Sequence, residues 1–239
     1  MNNLNSIETL LAGNSYVGRG MVIGKSPDGT KACTAYFIMG RSDNSRNRIF
    51  CLKGGELFTE PFDASKVEDP SLIIYRAVRS LDNHLIVTNG DQTDTIYECL
   101  QSGIGFAQAL AQRSFEPDAP HFTPRISGML TFEKADFHYQ MSILKSADQS
   151  GTNCERFTFS YPAIAGKAHL LHTYAGDGNP LPSFKGEPKA VQMENDIDVF
   201  ADRLWQALDA DNKISLFVRF TDIKTLSCEE RIINKNQVL

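Results

Sequence analysis

The apolar and polar positions begin with a helical period and then change to a β pattern. Leu4, Ile7, Leu10 and Leu11 fall on one face of a helix that Gly13 would stop. YVGRGMVIG (16–24), TAYFIMG (34–40) and RIFCLK (48–53) follow, rich in the aromatic and β-branched residues of strands. SPDGT (26–30) joins the first two with turn chemistry, and RSDNSRNR (41–48) joins the second and third. LIIYRAV (72–78) and HLIVTN (84–89) predict another pair across a short polar turn. Asp94 is a suitable N-cap for the helix TIYECLQSG, which Gly103 would end, and FAQALAQ predicts a second short helix. Four more strands are predicted at 125–132, 137–145, 156–161 and 167–174. The clearest helix is 195–210, with Ile197, Phe200, Ala201, Leu204 and Leu208 on one stripe. ISLFVRFTD (214–222) is a last core strand, with room for a short one after it.

About nine or ten strands and three or four helices result. The strands come in hairpin-like series, not in β-α-β alternation, which predicts an α+β fold of antiparallel sheets covered by helices. The segment 175–190 holds three prolines and three glycines and reads as a long ordered loop or lid, or else a linker. It does not separate two self-sufficient patterns, so residues 1–239 are expected to form one domain.

Composition narrows the function. Of 239 residues, 29 are acidic and 24 basic, a formal net charge of −5, which argues against a nucleic-acid coat or a polybasic membrane anchor. No stretch approaches the roughly 18 apolar residues of a membrane span. The start, MNNLNSIETLLAG, lacks the basic n-region of a signal peptide. Five widely spaced cysteines without CxxC predict reduced thiols, neither a disulfide framework nor a zinc site, and a cytoplasmic location. The five histidines have no metal spacing; His169 and His172 straddle a predicted strand, so one is expected buried and one exposed. No metal or other cofactor is expected.

Phosphate-loop, dinucleotide, nucleophile-elbow and zincin motifs are all absent. Polar clusters at strand ends carry the candidate chemistry instead. They are Y-V-G-R (16–19), R-S-D-N-S-R-N-R (41–48), Tyr75-Arg76, N-G-D-Q-T-D (89–94), the Glu116–Arg125 stretch and G-D-G-N-P (176–180). Singly each has an ordinary reading: an arginine loop is usually a wet hairpin tip, and Asn-Gly-Asp is often only a turn.

Taken in order and spacing, these clusters resemble the archaeal-type IMP cyclohydrolase family. The resemblance covers about residues 14–135, through Y-V-G-R, the arginine stretch, the tyrosine of L-I-I-Y-R-A-V-R (72–79), N-G-D-Q-T-D and F-E-P-D…T-P-R-I-S-G (115–128). Later, H-T-Y-A-G-D-G-N-P-L-P-S-F-K-G-E-P (172–188) looks like a loop of bacterial members. The resemblance implies a four-layer αββα sandwich similar to the N-terminal nucleophile hydrolases. It also implies dehydrative closure of 5-formamidoimidazole-4-carboxamide ribotide (FAICAR) to IMP. The Met-Asn-Asn start offers no Ser, Thr or Cys as an N-terminal nucleophile.

By the same resemblance, Tyr75 is the proton relay or oxyanion donor and Glu116 the base or its orienter, with Asp118 the alternative to Glu116. Arg41, Arg46 and Arg48 would supply a phosphate clamp and charge stabilisation, since guanidinium forks match phosphate oxygens. In a strict hairpin not all three would point inward, and most weight falls on Arg41 and Arg46. Arg19 and Arg125 would be further anion contacts. Asn89 would contact base or ribose, with Asp91 beside it in the substrate-binding set. The partner is then a small nucleotide, and apolar strand faces together with related enzymes suggest a homo-oligomer. The rival reading is a paralogue that binds a purine nucleotide without turnover, in a regulatory or assembly role.

Overall fold

Turn chemistry sets the first hairpin. β1 (Arg19–Lys25) and β2 (Lys31–Met39) are joined by a turn in which the Asp28 carboxylate accepts from Ser26 Oγ at 2.6 Å and Thr30 N at 2.9 Å. The structure is a computed structural model and describes residues 4–67 and 74–236. This hairpin sits in the middle of a six-stranded antiparallel sheet. Its neighbours are β10 (Lys167–His172) and β11 (Lys189–Gln192) on one side, and β12 (Lys213–Asp222) and β13 (Cys228–Asn234) on the other.

The second sheet is a seven-stranded antiparallel meander in chain order. It comprises β3 (Arg48–Lys53), β4 (Glu56–Pro61), β5 (Tyr75–Leu81), β6 (His84–Thr88), β7 (Arg125–Glu133), β8 (Asp136–Ser146) and β9 (Cys154–Pro162). Two helices, α3 (Gln92–Gln101) and α4 (Phe106–Ala111), connect β6 to β7. The chain is therefore α+β, with two antiparallel sheets and few helices.

Three apolar clusters explain the long hydrophobic runs. Val22, Phe37, Leu170 and Leu216 on one face of the first sheet pack under α1 (Ile7–Leu11) and α5 (Ile197–Ala207) through Leu11, Phe200 and Leu204. Met21, Ile23 and Phe217 on its other face meet Val87, Ile126 and Met141 of the second sheet. Ile86, Met129 and Leu144 then pack under α3 and α4. Strands buried on both faces lose the polar alternation of a half-exposed sheet.

Several expectations change. The arginine stretch is not a hairpin tip: it crosses from β2 in one sheet to β3 in the other, through a helical turn α2 (Asp43–Arg46). Among the described residues there are thirteen strands. β4 and β11 were not predicted, and β13 is seven residues long. α3 starts two residues before the predicted cap, with Asp91 at its N-cap position and Asp94 inside its first turn. The strand predicted from 72 begins at Tyr75, and positions 72–73 lie outside the described residues. His169 and His172 are both buried, because both faces of β10 are covered. Among the described residues no helix is long and apolar enough to cross a membrane.

Candidate functional site

A cavity of about 230 Å3 opens at the end of the sheets where β1, β3 and β7 begin. Four segments build it. Tyr16 and Arg19 come from the entry to β1, and Arg41, Ser42, Asn44, Ser45 and Arg48 from the crossover. Glu116, Asp118, His121 and Thr123 come from the segment before β7, and Tyr174 and Leu181 from the proline-rich loop. Gly18 permits this closeness. It has φ +77°, and a Cβ there would lie 2.2 Å from Thr173 Oγ1 and 2.6 Å from the Tyr174 ring.

The floor is an ion cluster removed from water. Glu116 is 3% exposed, and its Oε2 lies 3.8 Å from Arg19 Nη2. Burial raises the Glu116 carboxyl above the ordinary glutamate value; Arg19, Arg125 and Arg48 oppose the shift, while Asp118 adds to it. Arg48 is 2% exposed and gives Nε to Ser45 O at 2.7 Å and Nη2 to Met39 O at 3.3 Å. Burial, then the Arg19 charge, hold the Arg48 pKa below that of a free guanidinium. Among the described residues Arg19 Nε and Asn44 Oδ1 are buried without hydrogen-bond partners. A buried orphan donor in a cavity wall is a place for a ligand atom.

The Tyr75 hydroxyl meets that of Tyr36 at 2.7 Å, and neither tyrosine is among the residues that line the cavity. Burial pushes the Tyr36 phenol well above its usual range, so it stays protonated. At the rim, Arg41 pairs with Asp177, donates to Gly178 O at 3.1 Å and lies 5.0 Å over the Tyr16 ring. Leu181 N donates to His121 Nδ1 at 3.2 Å, which leaves the imidazole proton on Nε2.

The predicted residues divide accordingly. Arg19, Arg41, Arg48 and Glu116 line the cavity. Arg46 does not: its guanidinium is held by Gly40 O and Asn212 Oδ1, both at 3.1 Å, so it ties the crossover to the first sheet. Asn89 is wholly buried, with Nδ2 on Pro124 O at 2.9 Å and Oδ1 accepting from Ile126 N at 2.8 Å and Gln92 Nε2 at 3.0 Å. It braces β7 outside the cavity lining. Asp91 accepts from Arg125 and Arg113, each at 2.6 Å. Burial pushes its carboxyl up, but the two guanidiniums hold it below the ordinary aspartate value. Arg125, whose Nη1 donates to Asp91 and to Gln92 Oε1 at 2.7 Å, is not among the residues that line the cavity. Tyr174, Thr123 and His121 carried no individual role in the sequence reading, although each sits inside a polar stretch noted there.

Fold and site together define a two-sheet α+β protein whose cleft can hold an anion beside a carboxylate able to exchange a proton. The chain belongs to the family of IMP cyclohydrolase-like proteins, whose family model matches residues 16–225. It is 38% identical to an IMP cyclohydrolase of Methanopyrus kandleri over 115 residues, 47% of this chain and 57% of that protein. It is 32% identical to one of Methanothrix thermoacetophila over 124 residues, 50% of this chain and 60% of the relative. It is also 32% identical to one of Methanocaldococcus jannaschii over 117 residues, 48% of this chain and 56% of that protein. The chain thus spans less than two thirds of the length of these relatives.

Proposed function

We propose that the chain is an IMP cyclohydrolase that closes FAICAR to IMP with loss of water. The observation that carries this reading is Glu116, a buried carboxylate with its affinity for protons raised, 3.8 Å from Arg19 in a cavity with an unmet guanidinium donor. The carboxamide nitrogen bonds to the formyl carbon and loses one proton to Glu116, which returns it to the formyl oxygen to leave a hydroxyl. Glu116 then takes the formamido N–H proton and gives it to that hydroxyl as the C–O bond breaks, the C=N bond forms and water leaves. A base poised above the usual carboxylate range suits both transfers. Arg19, with the Tyr75–Tyr36 hydroxyl pair behind it, stabilises the developing oxyanion. Arg41 and Arg48 take the ribose 5′-phosphate, and Arg46 shapes the crossover that presents them. The reaction is intramolecular, so orientation supplies much of the rate.

This reading includes the finer fold: helices, sheet, sheet, helices as a four-layer αββα sandwich in one domain, similar to the N-terminal nucleophile hydrolases. The order of the three apolar clusters supports it. The test is purified protein with FAICAR, followed by absorbance as IMP forms. Turnover that Tyr75→Phe slows by about tenfold or more is expected. Stabilisation by IMP without turnover would replace the enzyme by a nucleotide-binding paralogue, and an unchanged Tyr75→Phe enzyme would remove the tyrosine from the chemistry.

A further inference from the structure

One polar chain in the cavity wall has a direction fixed by its acid end. Asp118 accepts from Thr123 N at 2.6 Å and from the Thr123 hydroxyl, and Thr123 Oγ1 lies 2.5 Å from Tyr174 Oη. A carboxylate can only accept, so the threonine proton points to Asp118. The threonine oxygen must then accept, and the tyrosine proton points to Thr123. The Tyr174 hydroxyl is left with lone pairs alone for the cavity that it lines. Burial holds this phenol well above its usual range, against the pull of Arg19 and Thr123, so it remains a neutral hydroxyl. Its ring cannot swing away: it stacks on Tyr16 at 5.9 Å between centroids and fills the space left by Gly18.

Arg19 and Arg48 offer only donors, which suit the phosphate, the formyl oxygen or the carboxamide oxygen. The carboxamide NH2 needs an acceptor that does not compete as a base.

We propose that Tyr174 is the acceptor that holds the carboxamide N–H edge of the substrate, with Thr123 and Asp118 as positioning residues that keep its hydroxyl proton turned out of the cavity. The inference rests on the cyclohydrolase reading. The N–H bonded to Tyr174 is the one IMP retains, so the contact survives into product and also favours IMP binding. A ligand with no N–H at that position would leave the hydroxyl lone pairs unpaired and be rejected.

The experiment uses the full chain and three variants: Tyr174→Phe, Asp118→Asn and the double variant. Tyr174→Phe keeps the ring and removes the acceptor, so kcat/KM for FAICAR and the affinity for IMP should each fall by about tenfold or more. Asp118→Asn can donate to Thr123 and turn the relay around, so that Tyr174 donates into the cavity. It should cost a similar factor alone and nothing further on Tyr174→Phe, a coupling that independent structural damage would not give. Thr123→Val replaces Asp118→Asn if that variant fails to fold. Wild-type kcat/KM and IMP affinity in Tyr174→Phe, or losses that simply multiply, would overturn the proposal and leave the cyclohydrolase reading intact. A wild type that binds IMP without turnover would remove the enzyme reading, with the relay then judged on IMP affinity. A wild type that does neither overturns both.

Discussion

Arg48→Met separates a binding arginine from a structural one. The side chain is 2% exposed, and among the described residues no carboxylate pairs with it. Methionine of similar reach removes two hydrogen bonds from a charged donor, about 1.5–3 kcal/mol each. It also removes a buried charge whose desolvation costs several kcal/mol, together with its repulsion by Arg19. These terms oppose each other, so the ligand-free variant should stay within about 2 kcal/mol of wild type. Ligand binding has no such offset. Losing about 2.8 kcal/mol of charge-assisted phosphate contact weakens IMP about 100-fold. At IMP 100 times the wild-type Kd, the wild type gains about 2.7 kcal/mol; the variant, then at its own Kd, gains about 0.4 kcal/mol. For a chain of this size each kcal/mol moves Tm by about 2–4 °C, so the IMP-induced shift should drop from about 5–11 °C to about 1–2 °C. Thermal melts with and without IMP measure both quantities. A variant that keeps the full IMP shift would refute the phosphate assignment. A ligand-free variant weakened by more than about 4 kcal/mol would make Arg48 a keystone of the fold.

Glu116→Gln should lower kcat by about 10²–10⁴ with the fold retained. Because the Glu116 pKa is raised, the basic form is lost as pH falls through a value above 4.5, so the acid limb of kcat/KM should lie above the ordinary glutamate range. A limb at or below 4.5 in the pH profile would contradict this base. Gly128→Ala should cost about 1–3 kcal/mol by overpacking, since its Cβ would stand 2.4 Å from Ile23 Cδ1 across the sheets; denaturant melts read it. Burial depresses His169 and His172 to about 4 from 6.5, so each contributes stability that is present above 6.5 and lost as pH falls toward 4. Calorimetric Tm should already decline between pH 6.5 and about 5, before most carboxylates titrate, and a flat Tm there would contradict the burial of both rings.

Local patterning made four of the five α-helices of the described residues and most strands legible, but not α2. The stripe of Ile197, Phe200 and Leu204 and the hairpin at SPDGT rest on periodicity and turn residues alone. What escaped depended on tertiary placement. Arg41 to Arg48 reads as a hairpin tip in sequence because Ser, Asp and Asn fill turns and crossovers equally well. Only the assignment of β2 and β3 to different sheets turns Arg48 inward and leaves Arg46 bracing Asn212. Asn89 shows the converse: its motif suggested ligand contact, and its amide is fully used in holding β7. A side chain's type gave its chemistry, but its free valences became visible only after backbone partners were counted.

That count also explains why the cavity lies where it does. At this end of the sheets Arg48 and Tyr75, each the first residue of its strand, are buried together with Glu116 and beside the largely buried Arg19. A half-paired buried cluster costs stability and persists only where the surrounding structure holds it in place. Here the fixing elements are the cluster between the sheets, the crossover tied by Arg46, and the loop tied by Arg41 to Asp177 and by Leu181 to His121. Two of these three ties are polar contacts made by loops, so an anion entering the cavity would meet charges held rigidly from below and adjustably from above. The floor residues should therefore govern affinity and chemistry. The rim pair of Arg41 and Asp177, partly exposed and worth about 0.2–1 kcal/mol, should govern how fast the cavity fills and, through the Arg41 contact with phosphate, add the smaller share of the affinity.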